Sequence, residues 1–154
     1  MKIAALLPLA LLAGCQHFSY LPPSGEQTAS VTFTGNAAAQ PMVCVPDQGF
    51  RATEYALGKT PMGSDSFNDL LATMKKSPEV TTQVAAGQTR IGVNFNQRQT
   101  DGSRDRCQVA LEFNARQGAS YKANFTHSAG QCGLSLTDDS GAPVDAVLVD
   151  WKCP

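Results

Sequence analysis

Histidine is scarce in this chain, with two among 154 residues, and tryptophan occurs once. A hydrolytic site built on a nucleophile needs a base within hydrogen-bond reach and a third group to orient that base. His17 lies in a proline-containing N-terminal stretch, and His127 falls in a predicted turn, His127-Ser128-Ala129-Gly130. Adjacency of His127 and Ser128 does not make a dyad, and His127 is read as a solvated turn residue. GxSxG, HExxH and phosphate-binding glycine loops are all missing. No catalytic residue is assigned, no cofactor is expected, and the chain is not read as an enzyme.

Metal-binding and nucleic-acid signatures are missing too. No two cysteines have CxxC spacing, and only the two histidines could join them, so structural zinc is not expected. Asp138-Asp139 sits in a Ser/Gly turn, where Asp serves local hydrogen bonds. Thr137-Asp138-Asp139-Ser140-Gly141 lacks the alternating ligand order of a calcium loop. Charged residues make up 16% of the chain, the net charge is −1, and no basic run occurs. Nucleic acid and direct adhesion to anionic lipid are therefore not expected.

The N-terminus carries an address. Met1-Lys2 precedes a mostly apolar run from Ile3, and small residues lead to Cys15. That is the layout of a secretory signal peptide. The run is too short for a transmembrane helix, which needs roughly 20 apolar residues. Leu12-Ala13-Gly14-Cys15 resembles the lipobox of bacterial lipoproteins. The resemblance covers only the first fifteen or so residues. It implies removal of residues 1–14, acylation of Cys15 by two or three chains, and a stable anchor, since each buried CH₂ contributes about 0.8 kcal/mol. Gln16, where the family's inner-membrane members carry Asp, implies outer-membrane sorting with the domain in the periplasm. Residues 15–29, with Leu21-Pro22-Pro23-Ser24-Gly25, read as a flexible tether. Fourteen extended residues would reach roughly 45 Å.

Residues 30–154 read as one domain. Its four cysteines, Cys44, Cys107, Cys132 and Cys153, are an even number in an exported chain and read as two disulfides. Three pairings are open. Val31-Thr32-Phe33-Thr34 and Met42-Val43-Cys44-Val45 are short strands, and 55–57 could continue one. Phe67, Leu70, Leu71 and Met74 fall at helical spacing and predict a short helix over about 65–76, starting near Ser64 and stopped before Pro78.

From Thr89 onward, strict alternation takes over. Ile91-Val93-Phe95, Cys107-Val109-Leu111-Phe113, Tyr121-Ala123-Phe125 and Cys132-Leu134-Leu136 form successive inward rows, and Val147, Val149, Trp151 and Cys153 share one face of a last strand whose other face carries Val144, Ala146 and Leu148. With turns between them, they suggest an antiparallel meander. The expected fold is mainly β: an antiparallel β-sandwich or small barrel with one short helix. Cys107 and Cys132, both inward, are placed to bridge layers of the core, and a bridge at Cys153 would pin the C-terminus.

The most charged segment, Gln97–Arg106, is read as a polar loop. Arg98, Asp101, Arg104, Asp105 and Arg106 are its partner-binding candidates, because binding residues favour loops on rigid scaffolds. The expected function is a lipid-anchored periplasmic protein-binding or scaffold module for another envelope protein. The alternative is an inhibitor or immunity lipoprotein acting on a cell-wall hydrolase.

Overall fold

A computed structural model describes residues 19–54, 56–57 and 79–154. The lipobox, His17 and the expected helix at 65–76 lie outside the described residues.

Nine strands are present among the described residues: β1 (Thr28–Thr34), β2 (Ala39–Val45), β3 (Gly49–Ala52), β4 (Glu79–Ala85), β5 (Gly87–Arg98), β6 (Arg104–Ala115), β7 (Ser120–Ser128), β8 (Gln131–Asp138) and β9 (Ala146–Val149). They form a five-stranded sheet in the order β3-β2-β5-β6-β9 and a four-stranded sheet in the order β4-β1-β7-β8. Apolar residues at every second position give each sheet one greasy face, and the two faces close on each other. Val31, Phe33, Ile91, Val93, Phe95 and Ala123 are wholly buried there. The outer face of the four-stranded sheet is hydroxyl-rich. Thr32 and Thr81 are hydrogen-bonded across it at 2.8 Å, and Thr34 donates to Asn124 at 3.1 Å.

The sandwich and its two bridges match expectation, but the connectivity does not. The chain does not meander through one sheet. It changes sheets between β6 and β7, and β7 pairs with β1 in parallel. Alternation marks the inward side of a strand equally well in either sheet, so it could not assign strands to sheets. Strand β4 was not expected. Its inward row is Val80-Thr82-Val84, and the central threonine hides the pattern although it is buried. Pro41, which directly precedes the strand expected at Met42–Val45, lies inside β2 opposite Val93. Its carbonyl points toward β3 and accepts from Thr53 N–H at 3.0 Å. The missing proline donor faces that same side, where β3 has ended, so no ladder bond to β5 is lost.

Both disulfide pairings are resolved. Cys107 on β6 and Cys132 on β8 join the two sheets, with Cα atoms 6.2 Å apart. Cys44 on β2 takes Cys153, with Cα atoms 5.5 Å apart, and straps the C-terminus across the outer face of the five-stranded sheet. Trp151 stacks on Phe50 at 4.3 Å within this strap. It also lies over Gly92, where an added Cβ would come within 2.7 Å of the indole and 2.9 Å of the Val109 carbonyl oxygen. Arg90 pairs with Glu112 and donates to the Lys152 carbonyl at 2.8 Å. The row expected to share one face from Val147 to Cys153 ends with β9 at Val149, and the segment beyond it is not strand. Val147 and Val149 pair with Glu112 and Ala110 on the outer face, while Ala146 and Leu148 pair with the inward Phe113 and Leu111.

The domain begins before the expected boundary at residue 30. Tyr20 is 7% exposed. Its N–H donates to Ala52 O at 2.6 Å on β3, and its hydroxyl donates to Gln83 O at 2.9 Å on β4. One residue of the expected tether thus clips the edges of both sheets together. Burial pushes the Tyr20 phenol up to about 12 from its ordinary value of 10.0. The unfolded chain ionises near pH 10 while the folded chain keeps its proton, so stability falls as pH rises from about 10 to 12. Tyr20→Phe removes this loss. Thermal melts from pH 9 to 12 should converge, the wild type losing its lead over the variant at the alkaline end. Parallel curves would contradict the docking.

Candidate functional site

The segment read as a loop is the end of a long hairpin. β5 continues to Arg98 and β6 begins at Arg104, which leaves only residues 99–103 as the turn. The turn is closed by Gln99 N–H to Ser103 O at 2.9 Å and Gly102 N–H to Gln99 O at 3.0 Å. Asp101 caps it by accepting from Ser103 N–H at 2.8 Å. The hydrogen bonds from Ser103 hold the Asp101 carboxyl below its ordinary value.

Strand parity then sorts the five candidates. Pairings Asn94↔Gln108, Asn96↔Arg106 and Arg98↔Arg104 put six residues on the outer face of the hairpin. Three are guanidinium groups and three are amides. Arg98, Arg104 and Arg106 are exposed. Arg104 Nη1 donates to Asn96 Oδ1 at 3.2 Å, and no carboxylate pairs with the three arginines among the described residues. Like charges directly opposite on a sheet repel. The Arg98–Arg104 pair is therefore a local cost of folding, in a chain whose net charge is −1.

The two aspartates do not neutralise this face. Asp101 is in the turn. Asp105 shares the inward parity of Cys107 and sits 3.0 Å from His127 Nε2 without the geometry of a hydrogen bond. His127 is not the solvated turn residue expected. It belongs to β7, and its side chain is only 14% exposed. Its ring stacks on Phe95 at 4.3 Å. The signal was in the sequence: His127 continues the inward row Tyr121-Ala123-Phe125 by one more step of two. Its partner across the strand pair is Cys132, so ring and disulfide lie side by side.

A cleft of about 340 Å³ is lined by residues 116–121, Asp138 and Asp139. There Asp138 is committed to its turn, accepting from Ser140 Oγ at 2.6 Å and from Ser140 and Ala142 N–H at 3.0 Å. Those bonds, that of the Ser140 hydroxyl foremost, hold its carboxyl low. Among the described residues no cluster of three His, Cys, Asp or Glu side chains suits a metal ion.

Comparisons give no relative. The chain matches no family model, no curated protein and no solved structure. The site must therefore be read from its own chemistry, which is that of an anion-receptive face on a rigid hairpin.

His127 acts here through packing. Replacing it with Ala strips the ring from Phe95 and opens the hairpin end of the core. His127→Ala should lower the stability measured by urea unfolding by about 1–3 kcal/mol. A change within about 0.5 kcal/mol, the range of ordinary surface substitutions, would contradict the packing role.

Proposed function

We propose that the chain is a lipid-anchored envelope protein, tethered through an acylated Cys15 to the outer membrane, whose sandwich docks another envelope protein in the periplasm. The lipobox resemblance supports the address. The docking reading is carried by one observation: Arg98, Arg104 and Arg106 line one face of the β5–β6 hairpin with no carboxylate among them. Guanidinium forks bind carboxylates in two-pronged pairs, and arginine is strongly favoured at interfaces. The outer edge of the hairpin thus fits an acidic surface on its partner. The inward side of the hairpin is closed by the Cys107–Cys132 bridge. A face held rigid before contact loses little conformational freedom on binding.

The full-length acylated protein, crosslinked in its own membranes and purified, should bring down one or two stoichiometric envelope proteins. The variant Arg98→Glu/Arg104→Glu/Arg106→Glu should recover at least about tenfold less, consistent with several opposed charge pairs at an interface. Its melting temperature should not fall, because the three side chains are exposed. Equal recovery by both forms would contradict the assignment of this face. Capture of a lytic enzyme through the same arginines would make the docking inhibitory.

A further inference from the structure

The docking of Tyr20 limits how far the domain can stand from a bilayer. This step rests on acylation of Cys15, as proposed above. Cys15 and Ser19 are four residues apart. Whatever their conformation, four Cα steps span at most about 14 Å. Ser19 bridges Ala52 of β3, and Tyr20 is bonded to β3 and β4 at once. The leash is therefore four residues long, far short of the roughly 45 Å reach of an extended fourteen-residue tether.

The next residue is Leu21, which is 82% exposed, against 71% for Leu148 and 55% for Val147 on β9. It is held on both sides. Tyr20 precedes it in its clip, and Pro22-Pro23 follow with restricted backbones. An isolated exposed leucine is ordinary. This one lies within about six residues of a lipid anchor, on a backbone that cannot withdraw it. Glu54 is exposed beside Pro22 in the neighbouring cleft, which argues against attraction to anionic headgroups. We propose that the β3/β4 edge, led by Leu21, lies against a zwitterionic lipid surface.

The arginine face lies along the strands from the point where the leash arrives. Ser19 lies level with Gly92, through Ala52 and Met42. Arg98 is six residues further along β5, or about 20 Å at the usual rise. The Ser19–Ala52 bridge is parallel, so the chain arrives running toward the hairpin end.

The test uses the full-length protein in vesicles of phosphatidylcholine and phosphatidylethanolamine, with photoreactive benzoylphenylalanine in place of Leu21 or, as a control on the opposite edge, Leu148. Intact mass first reports whether Cys15 carries acyl chains. Irradiation should then give at least tenfold more lipid adduct at position 21 than at 148. An acylated chain with no such excess overturns the membrane-facing edge while leaving the anchor intact. An unacylated Cys15 overturns the parent reading and this one with it.

Discussion

The structure depends on the contact between its two sheets at the hairpin end. Phe95, wholly buried on β5, packs at 5.6 Å against Phe125 and at 4.3 Å against His127, both on β7. The Cys107–Cys132 bridge ties the same layer covalently. Such a bridge contributes about 2–4 kcal/mol, mainly by restricting the unfolded chain. Twelve-residue strands such as β5 and β6 reach beyond the rest of the sandwich, and an unsupported ribbon of two strands is barely stable in water. The aromatic stack and the bridge give its base a second sheet to rest on. Arg98, Arg104 and Arg106 are held together despite their like charge because that base is fixed.

The C-terminal strap divides the other side of the five-stranded sheet. Trp151 covers Gly92 and Phe50, Arg90 holds the Lys152 carbonyl, and Cys153 is locked to Cys44. The strap ends the accessible face just short of Asn94. The amide and guanidinium rows lie beyond it. Glycine at 92 is what lets the indole approach the backbone so closely, and its lack of a Cβ is a packing requirement and not a turn signal.

Much of this was legible in the sequence. The inward rows of β5, β6, β7 and β8 and the layer-bridging role of Cys107 and Cys132 follow from alternation alone. What stayed hidden depends on long-range pairing. The crossing from β6 to β7 leaves no mark on the pattern of either strand. Tyr20 reads as part of a proline-rich linker because its binding groove is built from Ala52 and Gln83, dozens of residues away. The five charged candidates were visible as a cluster, but not their division. With 97–106 read as a loop there was no parity, and only the pairing of Arg98 with Arg104 sends the arginines outward and Asp105 inward to His127.

The picture is of a hairpin made rigid at its base, holding a repulsive, unneutralised face ready for the acidic partner proposed for it. Amide hydrogen exchange on the oxidised protein, beside a Cys107→Ala/Cys132→Ala form, tests that most directly. The account predicts that amides near Asn96 and Arg106 are protected in the bridged protein. They should lose protection in the unbridged form well before those of Ile91 and Leu111. Rapid exchange at the hairpin end of the intact, bridged protein would contradict a preformed docking face.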